Sequence, residues 1–279
     1  MISVALFLNP SRSQTIKKIW TKNIARLVTA FLFWSFLYAL YACSVADSYS
    51  LKTFLTRLLM GEYHMWFVVM IAALYALVPA LRLIAQDEVI LKYSILIGLS
   101  LMFVSAYSGI MPGKEIVSKT LGNISLNMGY VTYFLLGYYL TTIKKKSAIG
   151  LIALGFVGYL ITLLGTMHFS QQADTFNSTF YNYQTLNVAL MATSIFLLFR
   201  NSTYALDKIP ERMKTIISKF GNLSMGAYLI HIFSLNAFKL SPQSGLFPEA
   251  IVWTLLIFIV SYACAFILRM IPILGKYIA

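Results

Sequence analysis

Residues 65–84 read MWFVVMIAALYALVPALRLI, twenty positions with one charge, Arg82, near the far end. At 1.5 Å per residue, twenty helical residues cover about 30 Å, the thickness of a bilayer's hydrocarbon core. A membrane β-strand would alternate apolar and polar side chains over about ten residues. Here the apolar residues run on without alternation, so the stretch reads as a transmembrane helix. Seven further segments read the same way: Leu27–Val45, Tyr93–Met111, Ser125–Ile143, Ser147–Met167, Thr185–Phe199, Gly221–Lys239 and Ala250–Ile271. The segment from Thr185 is short and is expected to start earlier, near Tyr181. The pattern predicts an all-α, polytopic integral membrane helix bundle of about eight spans, forming one membrane-embedded domain over residues 1–279.

Composition agrees. Of 279 residues, 59% are hydrophobic and only 11% charged, and mean hydropathy is +0.76. A soluble domain is about 25% charged, so a water-soluble enzyme, a disordered chain and a disulfide scaffold are all excluded. Cys43 and Cys264 both fall inside apolar segments, one near a membrane face and one deep, and are expected to be free thiols.

The net charge of +13 suggests a nucleic-acid partner only until the charges are placed. With the N-terminus inside, the inner segments hold seventeen basic and four acidic residues, the outer ones five and five. Cytoplasmic loops collect Lys and Arg. The split therefore supports an even number of spans with both termini cytoplasmic, and it needs no nucleic acid. Two inner stretches, Ser11–Arg26 and Leu206–Phe220, space apolar residues at helical intervals between cations and are expected to lie on the membrane surface against anionic lipid. The outer loop His168–Gln184 carries one charge among amides, hydroxyls and aromatic rings. That mixture suits the headgroup level, and secondarily a sugar surface.

Chemistry-bearing residues are few. No Walker loop, GxGxxG, HExxH or GxSxG occurs, and three histidines and two cysteines, widely separated, predict no metal site. The sharpest cluster is Gly61-Glu62-Tyr63-His64-Met65-Trp66-Phe67, where an outer loop enters a span. A carboxylate two residues from an imidazole can orient it as a general base. Tyr63 and Trp66 add a donor and a stacking face, though the same residues also make an interfacial anchor. His231 lies midway along the seventh span, a depth at which ionisable residues are functional or paired. Arg82 ends the second span, where a cation suits a helix C-terminus. Gly129, Tyr133 and Gly137 share one helix face, as do Gly158, Thr162 and Thr166, which predicts close helix packing.

In order along the chain, Phe31-Leu32-Phe33-Trp34-Ser35, Tyr63-His64-Met65-Trp66-Phe67, Leu77-Val78-Pro79-Ala80-Leu81-Arg82, Tyr133-Phe134-Leu135-Leu136-Gly137-Tyr138 and Leu223–His231 (LSMGAYLIH) resemble segments of the acyltransferase-3 family. This family of multispan membrane acyltransferases includes O-acetyltransferases of bacterial surface polysaccharides. The resemblance implies an inner (plasma) membrane, multi-pass enzyme. Its acyl group, expected to be acetyl, would come from acetyl-CoA and pass to a hydroxyl of an envelope polysaccharide or lipid-linked glycan, with membrane lipids as its other partners. It implies His64 and Glu62 as catalytic residues and Tyr63, Trp66, Arg82 and His231 as substrate-binding ones, with Arg82 and the basic inner loops meeting the donor's phosphates.

One departure accompanies the match. The family's first span carries an arginine followed by the histidine regarded as catalytic, and neither is found here. Met1–Leu8 resembles the tail of the family's second span, so the chain is expected to begin one to two spans late. Transfer would then stay near background unless His64 or another group serves as base. The rival reading is a non-catalytic or truncated membrane protein, or a transporter or binder of a lipid-linked glycan or small solute.

Overall fold

The computed structural model describes residues 7–9, 14–45, 50–107, 114–202, 208–238, 247–271 and 275, with 114–127 and 247–248 described as backbone. Among them every regular element is helical. The long helices are α1 (Ala25–Val45), α2 (Leu51–Met60), α3 (Trp66–Gln86), α4 (Glu88–Tyr107), α5 (Lys114–Thr142), α6 (Ala148–Ala173), α7 (Leu186–Asn201), α8 (Glu211–Ala237) and α9 (Phe247–Arg269). All except α2 coincide with the eight apolar segments. Five helical stretches among the described residues are long and apolar enough to cross a membrane: Ile16–Val45, Leu51–Gln86, Glu88–Tyr107, Ala148–Ala173 and Glu249–Arg269. Much of Met1–Leu8, part of the Ala46–His64 loop, Leu206, Asp207 and Lys239 lie outside the described residues.

Three expectations change. The segment Ser11–Arg26 is not a separate surface helix: from Ile16 it runs through a π-helical turn, Ile19–Ile24, straight into α1. The i→i+5 bonding of a π-turn brings residues five apart to one side, and Ile19 and Ile24 are both buried. Likewise residues 211–220 form the first turns of α8, whose helix passes through Gly221 unbroken. Gly221 has open space around it, and a single helical glycine costs only about 1 kcal/mol. Finally, α7 does not reach back to Tyr181. It starts at Leu186 after Thr185, and Thr179–Tyr181 is a separate 3₁₀ turn.

The chain divides into two units. Unit 1 comprises Met1–Gln14 and Leu77–Lys208, and unit 2 comprises Thr15–Ala76 and Ile209–Ala279. The boundary falls inside α3, two residues before Pro79, which cannot donate the helical hydrogen bond to Tyr75.

In unit 1, α4 packs on α5 and α6 on α7. Small residues let the helices close. A Cβ on Gly158 would stand 2.6 Å from the Asn187 carbonyl, and one on Gly98 would overlap Thr132. Arg200 of α7 donates to the carbonyls of Leu140 and Ile143, groups that the end of α5 leaves without helical partners. The interior is polar where the helices meet. Buried Asn187 accepts from Tyr107 Oη at 2.6 Å and donates to Thr162 Oγ1 and to the Phe180 carbonyl, each at 2.7 Å. Outward, Leu96, Leu164 and Ile195 are exposed, as suits helices solvated by lipid.

In unit 2, α1, the start of α3, α8 and α9 share a core of Leu27, Trp34, Met65, Val68, Leu229, Ile232 and Ala265. Cys43 and Cys264 are free.

Candidate active site

Unit 2 holds a cluster of tyrosines and histidines, built around a turn that only glycine makes. Helix α2 ends at Gly61, whose N–H donates to the Arg57 carbonyl at 2.9 Å. Gly61 has φ +70°, and a Cβ there would stand 2.9 Å from Phe31 and 3.1 Å from Ser35 Oγ. Both the left-handed backbone and the close approach to α1 require a glycine. The chain then passes Glu62 and makes one 3₁₀ turn, Tyr63–Met65, before α3 begins. That turn drives His64 and Met65 inward and leaves Tyr63 outside, 69% exposed.

His64 is 6% exposed. Its ring meets Tyr38 of α1 at 5.5 Å between centroids, Tyr228 of α8 at 5.5 Å and His231 of α8 at 5.0 Å, all edge to face. Its backbone carbonyl accepts from Tyr228 Oη. Neither ring nitrogen of His64 makes a hydrogen bond of good geometry, and the Leu229 carbonyl nearby already accepts from Tyr38. Most buried polar atoms in proteins are hydrogen-bonded, and an orphan calls for an explanation such as a catalytic role or a bound water.

His231 is held differently. Its Nδ1 lies against the Tyr228 carbonyl one turn back. If the proton sits on Nδ1, as this contact favours, Nε2 is left as an acceptor. The helix around it is fixed by Tyr38, whose hydroxyl donates to the Leu229 carbonyl at 2.8 Å and accepts from the Phe233 N–H at 3.2 Å. The Tyr38 ring also stacks on Phe233 at 4.1 Å. One residue of α1 therefore touches the His64 ring and sets the turn of α8 that carries His231.

Two cavities border the cluster. One, of about 350 Å³, is lined by Tyr38, Tyr41, Val45, Arg57, Glu62 and Asn236. The other, of about 260 Å³ and mostly apolar, is lined by Ser224, Tyr228, His231, Phe258, Ser261 and Tyr262. His64 contacts Tyr38 on the wall of the first and His231 on the wall of the second.

Several sequence expectations are revised at this point. Glu62 does not orient His64: its carboxylate faces Arg57 at 4.0 Å. The extended Glu62 backbone and the following 3₁₀ turn send the two side chains apart. The imidazole's actual neighbours are aromatic rings and His231, a juxtaposition of residues 64 and 231 that no local motif encodes. Trp66 is 43% exposed and meets Phe67 edge to face. Arg82 belongs to unit 1, where its guanidinium donates to the carbonyls of Phe7 at 3.1 Å and Asn9 at 3.4 Å. The cavity beside it is only about 20 Å³. Those contacts tie down the Phe7–Asn9 segment and do not form a phosphate site. Among the described residues no group of three or more His, Cys, Asp or Glu is placed to hold a metal ion.

The acyltransferase-domain family matches residues 1–270 of the chain. The chain belongs to the acyltransferase-3 family. No curated protein and no solved structure matches it. This multi-pass membrane acyltransferase therefore carries, in unit 2, a buried imidazole with idle nitrogens flanked by a second histidine. Acyl transfer requires groups of that kind to move a proton.

Proposed function

We propose that the protein transfers an acetyl group from acetyl-CoA to a hydroxyl of a cell-envelope polysaccharide or lipid-linked glycan, with the His64–His231 pair as its acid–base machinery. The observation that carries this reading is the buried imidazole of His64, without a hydrogen bond of good geometry, beside His231. In the forward step the pair takes the proton from the acceptor hydroxyl. The oxygen attacks the thioester carbonyl carbon, and a tetrahedral oxyanion forms. Collapse breaks the C–S bond, and the coenzyme A thiolate leaves with the proton returned by the pair. Catalytic hydrogen bonds are often long in unliganded sites and tighten on binding, or run through one water. The 5.0 Å ring separation fits that pattern.

The eight helices and their charge split support a plasma-membrane protein with both termini cytoplasmic, residues 1–279 acting as one catalytic domain. On that topology the exposed Lys144–Lys146 turn, to which Asn201 donates at 2.9 Å, faces the cytosol. There it can attract anionic lipid headgroups or the phosphates of acetyl-CoA. Tyr63 and Trp66, both exposed, stand at the outer end with the glycan.

The test is transfer of radiolabelled acetyl from acetyl-CoA into envelope glycan in membranes containing the full chain. Incorporation that disappears in His64→Ala while the protein still expresses and folds supports the reading. Incorporation indifferent to both His64→Ala and His231→Ala overturns the assignment of the base, and absence of any acetyl transfer overturns the choice of donor.

A further inference from the structure

The larger of the two cavities that border the histidine cluster brings together a set of side chains that acid–base chemistry alone does not need. Tyr38 and Tyr41 of α1, Arg57 of α2, Glu62 and Asn236 of α8 face a single opening of about 350 Å³. Small-molecule pockets run from about 300 to 1,000 Å³, so the space suits one or two small rings. We propose that this cavity is the acceptor subsite and that it binds a neutral sugar. The inference rests on the acyl-transfer reading above and names the substrate class for that site.

A neutral pyranose presents an apolar C–H face together with hydroxyls that both donate and accept. The cavity answers each feature. Two tyrosine rings and Val45 offer flat and apolar walls. Arg57 only donates, Glu62 only accepts, and the Asn236 amide does both. Arg57 and Glu62 stand 4.0 Å apart, beyond the 2.7–2.9 Å of a tight charge-assisted hydrogen bond. Each therefore keeps capacity for a ligand.

Other ligand classes fit less well. The guanidinium and the carboxylate cancel, so the walls select neither an anion such as a nucleotide phosphate nor a cation. A lipid tail would displace water from both charges and the amide without offering any of them a hydrogen bond.

Position supports the assignment. The Tyr38 ring that walls the cavity is also the ring edged against His64 at 5.5 Å. Asn236 follows His231 by five residues, about 7.5 Å along α8. A sugar hydroxyl held there would approach the histidine pair from the Tyr38 side. The smaller, mostly apolar cavity beyond His231 would remain for the acyl end of the donor.

The experiment uses the full chain in nanodiscs with Val45→Cys, a lining residue that donates none of the proposed hydrogen bonds. Maleimide labelling of this cysteine is timed against the unsubstituted chain, whose Cys43 and Cys264 give the background. Methyl α-D-glucopyranoside, methyl α-L-rhamnopyranoside and methyl N-acetyl-β-D-glucosaminide are the probes. At ten times its Kd, a glycoside that occupies the site slows labelling about tenfold. The expected result is such protection by at least one glycoside, lost when Glu62→Gln or Arg57→Gln is added in proteins whose melting temperature is unchanged.

Absence of protection by all three glycosides overturns the proposal, and this arm needs no change to either charged residue. Protection that survives both charge substitutions overturns it as well. Should protection fail while His64-dependent acetyl transfer from acetyl-CoA to hydroxylamine continues, the subsite falls and the catalytic reading stands. Protection accompanied by His64-independent turnover has the opposite consequence.

Discussion

Asn187 of unit 1 and His64 of unit 2 are both polar side chains buried in a helical bundle, and their surroundings treat them in opposite ways. Asn187 in unit 1 makes three hydrogen bonds of 2.6–2.7 Å, to Tyr107, Thr162 and the Phe180 carbonyl. His64 in unit 2 is also buried, at 6% exposed, yet neither ring nitrogen makes a hydrogen bond of good geometry. A satisfied network fastens helices together, because within lipid a polar group's best alternative is another protein partner. An unsatisfied imidazole costs stability and is retained where its lone pair is used. The comparison separates a structural polar centre from a reactive one without reference to sequence motifs.

The largest expected effect lies on the reactive side. His64→Ala should lower acetyl transfer by about 10²-fold or more, the usual scale for acid–base groups. Removing the buried ring also leaves a cavity and lowers stability, as large-to-small core changes do, so transfer is compared per folded molecule. A large fall in melting temperature at unchanged turnover would make His64 a structural residue like Asn187.

Asn187→Leu should do the reverse. It strands Tyr107 Oη and the Phe180 carbonyl, at about 1–3 kcal/mol for each group left unsatisfied, while Thr162 Oγ1 keeps its bond to the Gly158 carbonyl. The melting temperature should drop, while per-molecule transfer in the folded fraction holds. A catalytic loss without a stability loss would break the comparison from the other end.

Gly61→Ala should destabilise by about 1–3 kcal/mol through a backbone conformation, φ +70° with ψ −174°, that is essentially glycine's alone, with more from the contact to Phe31, and should displace His64. Calorimetry in detergent would register the first effect and a transfer assay the second. Tyr38→Phe keeps the ring and removes only the hydroxyl bridging Leu229 and Phe233. A loss of about 1 kcal/mol in stability is expected, together with a lower kcat at unchanged KM for acetyl-CoA, because the turn carrying His231 is released. Unchanged kcat would remove Tyr38 from the positioning role.

Much of the fold could be read from hydropathy. Continuous apolar runs such as residues 65–84 needed only length and the absence of alternation, and each became a helix, although α5 begins eleven residues before the expected Ser125 and α8 ten before Gly221. The failures occurred at helix ends. Amphipathic patterns in Ser11–Arg26 and Leu206–Phe220 mark residues that leave the apolar layer. They do not say whether the helix stops there, and here it continues.

The site was legible only in part. His64 stood out because an imidazole in Gly61–Phe67 begins a span, and His231 because of its depth. Their meeting depends on how α1, the start of α3 and α8 pack, and periodicity carries no such information. The Glu62–His64 pairing failed for a local reason. Spacing of two places side chains together only where the backbone geometry allows, and the 3₁₀ turn after Glu62 does not. Asn187 was passed over altogether, since a lone Asn in an apolar run has no signature beyond being polar.

The central claim, that the buried imidazole of His64 serves the reaction as a base, is tested most directly by chemical rescue. His64→Gly leaves a space the size of the missing ring, and labelled acetyl transfer is measured with and without millimolar imidazole. The account predicts a loss of about 10²-fold, partly restored by imidazole and not by an apolar analogue such as cyclopentane. Full-rate transfer by a normally folded His64→Gly protein would contradict it.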